Sequence, residues 1–216
     1  MSKYLITPSL LNNFSYYMSD EWKSPAESRA DFLKTLSREK FEANESMKIG
    51  IKLEDDISLV CVDKYQYYDF GCKDEEESGI NKLIDYEKII SDLANIVKGG
   101  LWQQSVKKEI TVGNQEFLLY GRTDVIKRDT IYDIKYTGNY ELGKFLDSSQ
   151  HLIYLYCSDL PNFSYLISDG KDWWREDYYN SEVVEDQIKS KIADFMSYLE
   201  NDLEAKELFL TKWESK

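Results

Sequence analysis

Asp124, Asp133 and Lys135 lie in a stretch rich in β-branched and aromatic residues, where strand geometry governs what they can do together. A two-residue turn at Arg128-Asp129 pairs Lys127 with Thr130 and so sets Asp124 directly across from Asp133. Opposed residues of a hairpin point to one face, with Cβ atoms roughly 4.5–5.5 Å apart. Lys135 follows Asp133 by two and returns to that face by strand alternation. Two carboxylates in this relation repel, at considerable cost on a buried strand. A divalent cation between them removes the cost. Magnesium suits such a site, with manganese as a substitute, because it takes carboxylate oxygens and completes its shell with water and phosphate. The chemistry expected is phosphodiester hydrolysis, with the cation polarising phosphoryl oxygens and activating water. The lysine orients that water or stabilises charge developing in the transition state.

The acid-x-lysine spacing is not specific in itself, since it recurs at Glu21/Lys23, Asp169/Lys171, Glu204/Lys206 and Glu214/Lys216. The opposed Asp124 is what raises its value. Arg122 offers the alternative of a structural salt-bridge cluster without metal. Gln150 and Tyr154, four apart on a following helix, share one face, where an amide and a phenol suit a phosphate or a base edge. Their plainer alternative is a surface glutamine and a core tyrosine.

Several elements must position these groups. Thr7-Pro8-Ser9 ahead of Leu10, Leu11 and Phe14 reads as a helix start, with Thr7 as N-cap and Pro8 at the first helical position. A second helix is expected from about Pro25 into the early forties. A third carries the stripe Ile49, Leu53, Ile57 and Val60. The acidic run Asp74-Glu75-Glu76-Glu77 reads as a solvated loop. Beyond it Leu83, Ile90, Leu93 and Val97 mark a helix stopped by Gly99-Gly100. Val106–Val112, Phe117–Lys127 and Thr130–Tyr136 read as strands, joined by turns at Gly113-Asn114 and Arg128-Asp129. A helix around Asp147–Tyr156, a strand near Phe163–Ile167, the turn Asp169-Gly170 and two acidic helices complete the order. The expectation is one α/β (α+β) domain over residues 1–216, with a core ordered αβββαβ.

The ordered pieces Gly121-Arg122-Thr123-Asp124, Asp133-Ile134-Lys135 and Gln150-His151-Leu152-Ile153-Tyr154 resemble the GxxD, DxK and QxxxY motifs of the PD-(D/E)XK nucleases. The resemblance is to their RecB-like branch, which includes phage exonucleases and Cas4-type proteins. Thr7 to Phe14 is similar to that family's opening helix. The resemblance implies a restriction-endonuclease-like fold with a central mixed sheet flanked by helices, and a metal-dependent deoxyribonuclease, preferentially an exonuclease, in repair, recombination or phage DNA processing. It implies a further metal ligand from a helix before the strands. Gly50-Ile51-Lys52-Leu53-Glu54 supplies Glu54 for that role, with Asp55 and Asp56 as alternatives. The ligand set so implied is Glu54, Asp124 and Asp133, with Lys135 catalytic and Gln150, Tyr154 and Arg122 on the substrate. His151, the single histidine, is expected to be a bystander. Three scattered cysteines (Cys61, Cys72, Cys157) do not supply the four that an iron–sulfur cluster needs in Cas4-type relatives, so no cluster is expected.

Charge narrows the partners. The net formal charge of −13 argues against indiscriminate binding to a polyanion. From Lys98 to Lys144, however, eight basic residues face six acidic ones, so the middle of the chain tolerates a phosphate backbone. Lys107, Lys108, Lys127, Arg128 and Lys144 are candidate phosphate contacts, and Tyr136 and Tyr140 candidates for base stacking. DNA is the expected partner, with a phage or recombination protein as a second. The competing reading is an inactive protein of the same fold whose acidic surface binds a protein partner. No secretion signal and no apolar run of membrane-spanning length is found, so a reduced, cytoplasmic protein without a membrane anchor is expected.

Overall fold

The computed structural model describes residues 2–19, 23–40, 42–64 and 77–215, with the backbone alone for 77–84. In chain order the elements are β1 (Tyr4–Ile6), α1 (Pro8–Ser19), α2 (Pro25–Leu36), α3 (Glu45–Cys61), α4 (Glu77–Val97), β2 (Leu101–Trp102), β3 (Ser105–Val112) and β4 (Gln115–Arg122). They continue with β5 (Val125–Lys127), β6 (Thr130–Tyr136), α5 (Ser149–Ser158), β7 (Asn162–Ser168), β8 (Trp173–Tyr179), α6 (Val183–Asn201) and α7 (Leu203–Lys212). The fold is mixed α+β, as expected, but five strands, β2 to β6, stand between α4 and α5 where three were expected, before β7 follows. Cys72 and most of the acidic run at Asp74–Glu77 lie outside the described residues.

Local signals form the hairpins where they were expected. Gly113 takes φ +60° between Val112 and Gln115, which pair in register. Arg128 takes φ +55° in the turn that pairs Lys127 with Thr130. Thr7 caps α1, its hydroxyl accepting from Leu10 N at 3.2 Å. Gly99, at φ +84°, follows the end of α4.

The span Phe117–Lys127 is not one strand. It bends at Thr123-Asp124 into β4 and β5, which lie in two sheets, of order β1-β4-β3 and β2-β5-β6-β7-β8, where one central sheet was expected. The β2-β5 and β3-β4 ladders are halves of one hairpin, because Trp102↔Val125 and Ser105↔Arg122 keep the same register on both sides of the gap. Across it, Gln103 N donates to Asp124 O at 2.8 Å and Thr123 N to Gln104 O at 2.9 Å. Gln103 adopts φ +55°, a left-handed conformation that turns the partner strand where Asp124 sits. Two more expectations are corrected. α2 stops at Leu36, because Arg38 turns left-handed (φ +57°) and its guanidinium lies over the Trp213 ring at 4.8 Å. Ile49 of the α3 stripe is 38% exposed, while Leu53 and Ile57 are buried.

Helices cover both faces of the five-stranded sheet. Ile131, Phe163 and Tyr165 pack with α1, α5, α6 and α7 on one side, in a cluster that includes Phe14, Ile153 and Phe195. Val125, Ile134 and Leu166 pack on the other with Leu53 and Ile57 of α3 and Ile90, Leu93 and Val97 of α4. β6 and β7 run parallel through α5, and β7 is buried along nearly its whole length, as a central parallel strand must be.

The outer helices are fastened by Asp202. It caps α7 by accepting from Ala205 N at 3.1 Å, accepts from Arg29 Nε and Nη2 at 3.0 Å each, and accepts from Tyr198 Oη at 2.9 Å. The Arg29 bonds hold its carboxyl at about 2, below the ordinary 3.8. An Asp202→Ala variant is expected to lose roughly 1–2 kcal/mol of stability in urea unfolding at neutral pH. Because the folded-state value is depressed, the difference is full above 3.8 and vanishes as pH falls through about 2. An unchanged urea midpoint at pH 7 would contradict this.

Candidate active site

Asp133 lies on β6 with no exposed surface, on the face toward α5. Gln150 Nε2 of α5 donates to Asp133 Oδ1 at 2.6 Å, and Lys135 Nζ stands 2.6 Å from Asp133 Oδ2. That second contact is an ion pair outside hydrogen-bond geometry, so Oδ2 has no hydrogen-bond partner among the described residues. Asp124, at the bend, accepts from Ile134 N through Oδ2 at 2.7 Å, which ties the bend to β6 at the position next to Asp133. The register of β5 against β6 is the one expected, and it brings Asp124, Asp133 and Lys135 together.

Glu54 reaches the group from α3, in the helix layer on the opposite face. Its carboxylate accepts from the Gln103 side-chain amide at the bend. The backbone of α3 comes close to β6 at Gly50, where an added Cβ would stand 3.6 Å from Tyr136 Cβ. Of the two alternatives to Glu54, Asp56 is turned inward to Lys52 (2.5 Å) and Tyr86 Oη (2.9 Å), and Asp55 faces solvent. Gln103 was not singled out by sequence reasoning. Its only signal, a polar residue between two strands, is common to any loop.

Burial raises the carboxyl of Glu54, with Asp133 adding to it. Burial and then Asp133 push Asp124 well above its ordinary value. Asp133 is raised by burial against the opposing pull of Lys135. For Lys135 burial favours the neutral amine, but Asp133 and Asp124 outweigh it and keep the ammonium. Three acids crowd one ammonium, and a divalent cation would offset the burial and repulsion that raise their carboxyls. The donor set fits such a cation in kind: hard carboxylate oxygens, one of them buried and lacking a hydrogen bond. As placed, no three such side chains among the described residues form a ready ligand cage, since each carboxylate is turned to a protein partner.

Gly121 explains how Gln150 is held. A Cβ there would lie 2.1 Å from Tyr154 Cε1, so only glycine lets the ring rest on the β4 backbone. Tyr154 Oη then donates to Arg122 O at 2.7 Å and stands 3.4 Å from Gln150 Nε2. Burial, with Asp133, pushes this phenol up to about 12, so it remains a donor. The start of α5 is fixed from α1: Asn12 accepts from Ser149 N at 2.7 Å and donates to Ser148 Oγ at 3.1 Å. That contact, between residues distant in sequence, was not foreseen.

A cleft of about 720 Å³ opens onto Lys135, Gln150, Tyr154 and Arg122; Asp133 does not line it and is reached through its contacts with Gln150 and Lys135. Arg122 is exposed and no carboxylate pairs with it among the described residues. Of the other expected phosphate contacts, Lys107 and Arg128 are exposed and three are occupied: Lys108 by Asp159 (2.6 Å), Lys127 by Ile96 O (2.5 Å) and Lys144 by Thr137 Oγ1 (2.5 Å) and Asn139 O (2.7 Å). Tyr140 is not free to stack on a base. It donates to the buried Glu176 at 2.7 Å and packs on Trp174. Tyr136 packs with the α3–α4 cluster. His151 is a buried neighbour of Tyr178, 4.0 Å between ring centroids, held near 4 by burial and thus neutral.

The chain matches no protein-family model and no curated protein. Among solved structures it is similar to "Crystal structure of SSO0001", at 16% identity over 76% of this chain and 85% of that one, with a TM-score of 0.39. A likeness at that level carries no argument. Among the described residues no helix is long and apolar enough to cross a membrane.

Proposed function

We propose that this chain is a metal-dependent deoxyribonuclease of the PD-(D/E)XK type, hydrolysing DNA phosphodiester bonds, by preference from an end. The observation that carries the reading is the charge around Asp133: three partly or fully buried acids, Glu54, Asp124 and Asp133, against the single ammonium of Lys135. Glu54, Asp124 and Asp133 would hold Mg²⁺, or Mn²⁺ in its place. Bound there, the cation supplies phosphoryl polarisation and a lowered water pKa.

The remaining work falls to the chain itself. Lys135, still protonated, donates toward the attacking water or the charge growing on the phosphate. Gln150 keeps Asp133 oriented, and Tyr154 keeps Gln150 in place through its bond to Arg122 O. Arg122 meets a phosphate at the cleft. A role in repair, recombination or phage DNA processing follows from the resemblance of the three motifs.

The test is incubation of end-labelled linear DNA with the protein in Mg²⁺, Mn²⁺ or EDTA. Cleavage in either metal that stops in EDTA is expected, with short products released from an end. DNA left intact under every condition sinks the reading. The acidic surface behind the −13 charge would then point to a protein partner instead.

A binding measurement checks the metal separately. In EDTA, Asp124→Asn is expected to melt higher than wild type, because it replaces a carboxyl whose ionisation burial and Asp133 oppose, while the amide oxygen still accepts from Ile134 N. Added Mg²⁺ or Mn²⁺ should raise the melting temperature of wild type and leave the variant nearly unchanged. Equal responses of the two proteins to metal would remove Asp124 from the ligand set.

A further inference from the structure

The cleft beside Lys135 exists because two paired strands end at different places. β1 pairs with β4 only as far as Ile6↔Leu119, since Pro8 then opens α1. β4 runs on to Arg122, so the edge from Tyr120 to Arg122 has no β1 partner and faces the first turns of α1 across the gap. The walls of that gap are unlike the rest of this acidic protein. Arg122, Lys135 and Lys144 line it against one acid, Asp147. Tyr16 of α1, 69% exposed, and Tyr120, 36% exposed, present ring surface to it. On β4 Tyr120 and Arg122 are two apart and share a face, and Lys107 lies directly opposite Tyr120 on β3. Cations and aromatic rings thus lie together in a cleft whose Lys135 and Gln150 both touch the buried Asp133.

We propose that this cleft seats a single strand of DNA, with Arg122 on a phosphate and Tyr16 and Tyr120 stacked on unpaired bases; the proposal rests on the nuclease reading for its choice of polymer. Duplex DNA offers only base edges in its grooves, whereas a single strand offers the ring faces that tyrosines recognise. The volume, about 720 Å³, is that of a small-ligand pocket and admits a segment of one strand. α1 is therefore part of the binding surface as well as the scaffold: its buried side holds Leu10, Leu11 and Phe14, and its open side presents Tyr16.

The test uses fluorescence anisotropy of a labelled oligothymidylate and of a hairpin duplex, with the whole protein in EDTA so that nothing is cleaved. Wild type should bind the single strand more tightly than the duplex. Tyr16→Ala and Arg122→Ala should each weaken single-strand binding roughly tenfold. Arg122→Ala should also lower the salt dependence by about one phosphate contact. Both residues are exposed, so unchanged melting temperatures are expected and a folding defect would be visible as a shift. Variants that bind like wild type, or a duplex that binds better than the single strand, overturn the proposal. Single-strand binding lost in both variants, beside DNA that no metal allows the wild type to cut, would leave the binding site standing and remove the nuclease. Metal-dependent cutting with variants that bind normally would do the reverse.

Discussion

Asp133→Asn is expected to lower DNA cleavage by at least roughly 10²–10³-fold without unfolding the protein. The asparagine keeps an oxygen for the Gln150 amide and removes a charge that burial already opposes. Lys135 loses Asp133 but keeps Asp124 beside it, so stability in EDTA should change less than in Lys135→Ala while activity disappears. Lys135→Ala is expected to lose activity as well, but with the larger effect on stability. It strips the one cation from a carboxylate with no exposed surface. Breaking a fully buried pair costs about 3–5 kcal/mol. The lower end is expected here, since 31% of the Lys135 side chain is exposed. Urea unfolding in EDTA beside initial cleavage rates in Mg²⁺ separates the two roles. An Asp133→Asn protein that cleaves at the wild-type rate would end the case for this site.

Gly121→Ala is the second large effect, and it acts at a distance from the reacting atoms. The added methyl would meet Tyr154 at 2.1 Å from Cε1 and 2.8 Å from Cδ1. Tyr154 is 4% exposed and packs in the core beside Phe163, so its ring cannot swing into solvent. The strand or the ring must shift, and either movement strains the Tyr154 Oη bond to Arg122 O and the hold on Gln150. Overpacking of this kind costs about 1–3 kcal/mol. A displacement of an ångström at the site is worth about 10²-fold in rate. Tyr154→Phe keeps the ring and removes only the hydroxyl, so its losses should be smaller on both counts. A Gly121→Ala protein with wild-type stability and rate would show that the seat of Tyr154 on β4 does not matter.

These two sites also mark how far the residues themselves carry the reading. The hairpin at Arg128-Asp129 was legible because turn length sets register, and a period of two then places Asp124, Asp133 and Lys135 on one face. The start of α1 was legible for the same kind of reason: a cap and a proline act within one turn. Three strands escaped: β1, β8 and the two-residue β2, which exists through its pairing with β5. β1 is three residues long and exists through its pairing with β4, and β8 reads Trp-Trp-Arg-Glu-Asp-Tyr-Tyr with charges in its middle. Without β8 there was no place for Glu176, which accepts from Tyr140 Oη, Gly143 N and Tyr178 Oη and so anchors the loop that carries Lys144 to the cleft.

By itself the sequence determined the short-range part of the site: the opposed aspartates, the lysine two positions on, and the glutamine and tyrosine on one helical face. Backbone periodicity and turn chemistry act over a few residues and need no partner to be read. Only the tertiary structure decided that β4 and β5 part at Asp124, that Gln103 on the facing strand turns there and receives Glu54, and that Gly121 is the seat of Tyr154. Each of these joins residues far apart in the chain. Pairing, burial and charge between such residues come into being when the layers close, so no local pattern records them.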